Sequence, residues 1–307
     1  MSEALLTAFL LATFASMIPL LLAALGESVA EQSGVLNVGL EGVLLIGGFS
    51  AFAVTHASSS FWLGFLAGAL AGAALQSVLI VLSVWLHANQ IVVGIGMTLA
   101  GTGLSSMLYD WAFAGSRPRL GLPEVWALGP LADIPVLGPV LFARPGMFAL
   151  TFAFVLATAI WLGRTSPGLR LRAAGQNPAA LDAAGVNVRL VRSLAVLFGG
   201  VMAGLGGAYL VLVSAGTFTP GMTHGLGFLA IVTAMLSRGR AIWLVVISLI
   251  YGLFVATGTA LQLATVSISA DVITMAPFVA VMLVLAFSRG GSALPPALAT
   301  PYLRGQR

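Results

Sequence analysis

The feature that most constrains the fold of this chain is a series of apolar stretches, each long enough to cross a lipid bilayer. A transmembrane helix needs about 20 mostly apolar residues. Seven stretches qualify: 4–25, 34–55, 61–86, 90–109, 146–162, 193–214 and 241–262. An eighth, 270–288, carries Asp271 near its start and is followed by Arg289. The apolar piece 225–236 is too short to cross alone, so we expect half of a broken helix or a re-entrant element.

The composition leads to the same fold class. Charged residues make up 7% of the chain and hydrophobic residues 59%, whereas a soluble domain carries about 25% charged residues. We therefore predict an all-α, polytopic helical integral membrane protein of about eight to ten transmembrane helices, a single domain over 1–307 in the lipid bilayer. Glycines at Gly64, Gly68 and Gly72 share one helix face, and small residues at this spacing predict close helix packing.

Loop charges predict the orientation. Residues 163–192 carry five arginines against Asp182 alone, whereas the acids and arginines of 110–145 balance. By the positive-inside rule, 163–192 is cytoplasmic and 110–145 external, and counting back through nine elements puts the N-terminus outside. The pI near 10.3 is explained by these loop arginines, so no nucleic-acid partner is expected.

The loop 163–192 also contains a candidate docking helix. Asn177 and Pro178 open a short run of small residues that Gly185 closes, in agreement with the preferences for Asn at the cap, Pro at the first position and Gly past the end. A short surface helix between two spans is suited to gripping a soluble partner.

Glu41 is the clearest candidate for a functional side chain. An ionisable group within a span is costly and is a functional candidate by default. It follows Asn37 by four residues, so in a helix both would face the same way. The alternative is a structural role near the cytoplasmic end, in which Glu41 hydrogen-bonds a neighbouring helix or a loop arginine.

Other polar groups of the spans are weaker candidates. Glu27 and Glu31 lie four residues apart before that span, and we expect them to be solvated rather than docked on loop arginines. Two apolar segments interrupted by glycines, 34–48 and 221–236, lie in opposite halves of the chain. In transporters such a pair indicates a solute-binding site near the middle of the membrane, between two structural repeats. The neutral and aromatic groups suited to an uncharged solute are Asn37, Gln90, Thr98, Thr223 and Phe228, with Glu41 beside them.

Several kinds of chemistry are excluded. The chain has no cysteine, its three histidines lack metal-ligand spacing, and no phosphate-binding G-x-x-x-x-G-K-[ST] motif occurs, since there is no lysine. No local context of a hydrolase is present. We therefore expect no enzyme activity, metal or cofactor in this chain, and any energy for transport must come from another polypeptide.

Three blocks resemble a known family. The run Glu31 to Gly42 (EQSGVLNVGLEG), the loop Arg172 to Gly185 and the block Gly225 to Ile231 (GLGFLAI) are similar to motifs of permease subunits of bacterial ABC importers. They resemble the branched-chain amino acid/ribose superfamily, and within it the simple-sugar and nucleoside permeases linked to basic membrane lipoproteins. The resemblance covers roughly residues 25–290.

This resemblance implies partners and roles. It implies an importer in the cell (inner) membrane with a second, paralogous permease in a heterodimer, a cytoplasmic ABC ATPase that uses ATP and Mg, and a substrate-binding lipoprotein or periplasmic protein. Nucleosides, especially purine ones, are the implied substrates, with ribose or branched-chain amino acids as alternatives. The ATPase-coupling residues would be Gly175, Asn177, Pro178, Ala179, Ala180, Asp182 and Gly185. Two further hypotheses are a proton-coupled secondary transporter using Glu41 and a scaffold subunit.

Overall fold

The structure, a computed structural model, describes residues 3–113, 115–116, 118–121, 123–127, 129–263, 275, 278–279 and 294–303. Its helices are α1 (Glu3–Gln32), α2 (Leu40–Ser58), α3 (Phe61–Leu79), α4 (Gln90–Phe113), α5 (Gly146–Arg164), α6 (Ser166–Gln176), α7 (Pro178–Ala183), α8 (Val188–Tyr209), α9 (Leu226–Ser237) and α10 (Ala241–Leu263). Helix α3 continues as π-helical turns over Ile80–Trp85, and α8 does so over Leu210–Ala215.

Between α4 and α5 the described chain forms only short elements. Strands β1 (Val125–Ala127) and β2 (Ala143–Pro145) pair antiparallel, with Trp126 opposite Arg144. A 3-10 turn over Gly129–Asp133 and a π-helical turn over Gly138–Phe142 lie between the two strands. That this connection belongs to a single domain over 1–307 stays a prediction.

Seven of the described helices are long and apolar enough to cross a membrane, and they coincide with the seven predicted stretches. The boundaries that differ most from the prediction are the end of the first span and the start of the second. Helix α1 runs on to Gln32, and α2 begins only at Leu40, because a turn that starts with a left-handed Gly34 (φ +93°) separates them. The predicted span 270–288 lies outside the described residues.

The predicted glycine packing is confirmed between α3 and α8. A Cβ added at Gly204 would strike the backbone of Gly68, and one added at Gly72 would strike the backbone of Gly200 and Gly204. A Cβ at Gly47 of α2 would also meet Gly204, at 2.6 Å. Helices α2, α3 and α8 therefore approach one another backbone to backbone, as small residues allow in lipid.

The bundle has two distinct ends. The end of α1 lies beside Gly175 of α6, where an added Cβ would strike the Gln32 carbonyl, so we name this the arginine-loop end. Helix α1 has 30 residues, about 45 Å at 1.5 Å per residue, and it therefore begins at the opposite end. This agrees with the predicted placement of the N-terminus and residues 163–192 on opposite sides, while the side that faces the cytoplasm stays a prediction.

The short element α9 is half of a broken span. The π-helical end of α8 reaches the opposite end, where the carbonyl of Gly216 accepts from the backbone N–H of Leu120. The chain returns without regular helix to Gly225 and then as α9, and Gly239 lies beside the Gln32 side chain at the arginine-loop end. Of the two forms expected for 225–236, the structure therefore has the broken helix.

Candidate functional site: a buried polar region at the break

Glu41 closes the N-terminus of the broken helix α9. Its Oε1 accepts from the Thr223 hydroxyl (2.6 Å) and the Gly225 N–H (2.8 Å), and its Oε2 accepts from the Gly227 N–H (2.7 Å). The first N–H groups of a helix have no partner within the helix and carry partial positive charge. An internal carboxylate therefore satisfies them, and Glu41 is only 8% exposed.

Two glycines make this contact possible. Gly225 has φ +85°, and a Cβ on Gly227 would strike the backbone of Glu41. Glu41 therefore hydrogen-bonds a neighbouring helix, as the structural alternative predicted. The donors are backbone N–H groups and a threonine hydroxyl, not a loop arginine. Three donors hold the carboxylate in place. This arrangement does not support the hypothesis of a proton-coupled transporter that uses Glu41.

Asn37 does not belong to helix α2, so the prediction that it and Glu41 share a helix face is wrong. It lies in the turn 33–39, where its Oδ1 accepts from the Gly39 N–H (2.9 Å) and its Nδ2 donates to Gln76 Oε1 (3.0 Å). The side chain competes successfully with the helix for backbone N–H groups, as Asn does at turns.

The predicted pathway groups of α4 also bind this turn. Gln90 Oε1 accepts from the Leu36 N–H (2.9 Å), and the Thr98 hydroxyl donates to the Val38 carbonyl (3.1 Å). The structure therefore brings Asn37, Gln90 and Thr98 together around one backbone turn. Thr223 joins Glu41, whereas Phe228 is 44% exposed on the outer face of α9. Whether these residues line the solute pathway stays a prediction.

The expectation that Glu27 and Glu31 are solvated is wrong. Glu27 is fully buried and Glu31 is 4% exposed, because α1 continues past them instead of ending at residue 25. Glu27 Oε1 accepts from the Asn37 N–H (2.9 Å), which anchors the turn to α1. Most of the residues 26–37 are therefore buried in the protein interior.

Arg192 is a functional candidate that the sequence analysis missed. It belongs to the arginine-rich stretch 163–192, but it lies in α8 and is 3% exposed. Its guanidinium donates to the carbonyls of Ser33 (3.1 Å), Ala174 (3.3 Å) and Thr300 (2.9 Å). It therefore joins the end of α1, the end of α6 and the C-terminal segment 294–303. The position of Arg192 at the start of an apolar span was the sequence signal that could have identified it.

The candidate docking helix is present with the predicted caps. Asn177 Oδ1 accepts from the Ala180 N–H (3.0 Å), and Gly185 is left-handed (φ +81°). Leu181 is the buried side chain of α7, and it packs with Ala174 and Val188. The structure adds a second helix, α6, before it, so the loop 163–192 is mostly helical rather than carrying one short helix.

The face that α7 presents is small and apolar. Its exposed members are Ala179, Ala180 and Ala183, followed by Ala184 and Gly185. Asp182 is half-buried at its side, and Gly175 is buried beneath, against Gln32. A partner could therefore reach the alanine face directly, whereas Gly175 would act only by allowing α6 to approach α1.

Comparisons with known proteins agree with this architecture. Residues 9–287 match the family described as branched-chain amino acid transport system / permease component. The chain is 35% identical to a putative glucose ABC transporter permease protein, TsgC13, of Haloferax volcanii, over 86% of this chain and 79% of that protein. It is 33% identical to the nucleoside ABC transporter permease protein NupC of Lactococcus lactis, over 94% of each chain.

A third relative is the guanosine ABC transporter permease protein NupQ of Bacillus subtilis, 30% identical over 96% of each chain. Haloferax volcanii and Bacillus subtilis each hold a second, more distant permease that is also similar to this chain. No solved structure matches the chain.

Proposed function

This chain belongs to the permease-component family of branched-chain amino acid transport systems, and from that premise we propose that it forms half of the nucleoside pathway of an ATP-driven importer. Membership makes it a multi-pass transport protein of the membrane. The proposal adds the solute, the energy source and the partner that supplies it.

The observation that carries the proposal is the exposed position of the short helix α7. Its alanine face is exposed while Leu181 and Arg192 tie the surrounding loop to α1 and to the C-terminal segment. A displacement of α7 would therefore act on the turn 33–39, which holds Asn37 and contacts α4. We infer that a cytoplasmic ATPase, with its own ATP and Mg, moves α7 and rocks this half of the pathway.

The proposed solute is a neutral purine nucleoside. Two of the relatives are named for nucleoside and guanosine transport and one for glucose, and none of these solutes carries a formal charge. The polar groups at the break are neutral apart from carboxylates, and Glu41 is already bound by three donors. A zwitterionic amino acid would need both of its charges desolvated there, which is costly.

The proposed assembly includes a second permease and a substrate-binding lipoprotein. Organisms with a similar permease hold a second one, which supports a heterodimer. The lipoprotein would deliver the solute at the end opposite α7.

The coupling role is tested by Ala180→Trp. The bulky ring projects from the exposed face and should block docking of the ATPase, so solute-stimulated ATP hydrolysis in proteoliposomes should fall to the unstimulated rate while insertion is retained. Ala74→Trp, an exposed alanine in the middle of the span that α3 begins, is the matched control and should leave stimulation intact. Normal stimulation in Ala180→Trp would remove α7 from the mechanism.

The solute is tested by uptake in cells that carry or lack this subunit. Labelled guanosine uptake should depend on the subunit and on ATP, and leucine uptake should not. Ribose and glucose serve as the sugar comparison. Subunit-dependent uptake of leucine with guanosine uptake untouched would refute the nucleoside assignment and leave the family membership standing.

A further inference from the structure

A polar cavity lies at the end of the bundle opposite α7. It has a volume of about 640 Å³ and is lined by the end of α4, by Gly115, Ser116 and Arg119, and by the segment 217–220. Gln90, at the start of α4, bonds the turn 33–39 at the arginine-loop end. Asp110 lies 20 residues further along α4, a distance of about 30 Å. The cavity is therefore about one membrane thickness away from the arginine-loop end. Its volume falls within the range of about 300–1,000 Å³ that small-molecule sites occupy.

The cavity combines the faces of aromatic rings with two charged side chains. Tyr109 and Phe113 line it, with ring centroids 5.3 Å apart, and further aromatic rings back them: Tyr109 lies 5.4 Å from Phe218. Asp110 and Arg119 also line it, and neither forms an ion pair with another described residue. Both side chains are exposed, so their hydrogen-bonding capacity is available to a solute.

The cavity wall is held in place by hydrogen bonds between its two loops. The Leu120 N–H donates to the Gly216 carbonyl (2.8 Å), and the Thr217 hydroxyl donates to the Pro118 carbonyl (3.2 Å). The same segment continues from Pro220 to Thr223, which donates to Glu41. The cavity is therefore joined by a short stretch of chain to the break in the broken span.

We propose that this cavity is the entry site for the solute, where Asp110 and Arg119 bind vicinal hydroxyl groups and Tyr109 and Phe113 stack on the attached ring. A carboxylate accepts hydrogen bonds from two neighbouring hydroxyls, the way an acidic residue binds ribose in dinucleotide sites. Aromatic side chains stack on any flat base. The chemistry recognised is a neutral diol with a ring, which a nucleoside or a sugar supplies. The inference rests on the proposed function.

The first test uses thiol protection in the assembled importer. Because the chain has no cysteine, Ser116→Cys places a single thiol on the cavity wall, and Ser58→Cys places one at the same end outside it. Guanosine should slow modification of Cys at 116 by an impermeant maleimide and leave Cys at 58 unaffected. Glucose and leucine are tested in parallel. Protection by leucine but not by guanosine or glucose would overturn the diol assignment.

The second test separates direct contact from shielding by a docked binding protein. In the Ser116→Cys background, Asp110→Asn should raise the half-protecting guanosine concentration about tenfold or more, because a charge-assisted hydrogen bond is lost. 2′-Deoxyguanosine should protect more weakly than guanosine when Asp110 is present, and equally weakly in Asp110→Asn. Asp133→Asn, an exposed acid of the connection between α4 and α5 that does not line the cavity, should change neither.

The outcomes distinguish this inference from the proposed function. Subunit-dependent guanosine uptake with no protection at Ser116→Cys, or with protection that Asp110→Asn leaves unchanged, would overturn the entry site alone. Absence of guanosine uptake in the unmodified importer would overturn the proposed function.

Discussion

At the scale of single residues, Glu41 shows how a charge is kept inside a span. Burying a carboxylate is costly, and so is leaving three buried donors at the start of α9 without an acceptor. The hydrogen bonds between them offset both costs. In broken transmembrane helices such half-helix N-termini often face an anionic solute. Here the protein's own side chain occupies that position, which leaves the break suited to a neutral solute.

Glu41→Gln tests this account. In the glutamine side chain an NH2 group replaces one of the two carboxylate oxygens. That oxygen accepted a hydrogen bond at the start of α9, so one N–H group of the helix loses its acceptor. We expect a loss of about 1–3 kcal/mol in the free energy of unfolding, measured by denaturation of the purified complex in detergent. Glu124→Gln, an exposed acid, should change it by less than about 0.5 kcal/mol. Equal stability of both variants would contradict a clamping role for Glu41.

At the scale of elements, α8 is held by close backbone contacts on two sides. Gly204 touches α3 through Gly68 and α2 through Gly47, so no side chain separates these helices. Dispersion contacts between backbones are the main source of such packing, because lipid removes the hydrophobic driving force between helices.

Gly204→Ala should therefore weaken the bundle. Forcing a methyl group into a packed contact costs about 1–3 kcal/mol, and the loss should appear as a lower denaturation midpoint of the purified complex. Gly96→Ala in α4 is the matched control, since an added Cβ there meets nothing within 4 Å, and it should be neutral or stabilising by up to about 1 kcal/mol. The packing account fails if Gly204→Ala is as stable as Gly96→Ala.

At the scale of the whole molecule, Arg192 gathers segments that are far apart in the sequence. One guanidinium binds the ends of α1 and α6 and the segment 294–303. That segment is also tied directly, because the Ala297 N–H donates to Gly175 and the Ala299 N–H to Gly34. The planar, forked guanidinium suits this task better than an ammonium group does.

Arg192→Lys should loosen this junction without removing the charge. The lysine ammonium cannot reach three carbonyls in separate directions, so the amide hydrogens of Ala297 and Ala299 should exchange with solvent about tenfold faster or more. Hydrogen-exchange mass spectrometry of the intact complex measures this. Arg164→Lys, an exposed arginine of the same loop, should leave both amides unchanged, and an unaffected exchange in Arg192→Lys would reject the junction.

A structural feature is predictable from the sequence when the interaction that forms it joins residues close together in the chain. The caps of α7 were predicted correctly because Asn177 and Ala180 are three residues apart. Glu27 and Glu31 were misplaced because a polar run near a predicted helix end resembles a solvated one, and only packing around α1 shows it to be buried. The π-helical ends of α3 and α8 had no local signal.

The sequence by itself determined the class of protein, the seven spans, the short capped helix α7 and the glycine-rich helix faces, because apolar length, capping and residue size act within a few turns of chain. The tertiary structure alone decided the partners of the buried polar groups. Glu41 meets Gly227 across 186 residues, and Arg192 meets Thr300 across 108. Such pairs depend on which helix ends come together, and that depends on the packing of the whole bundle.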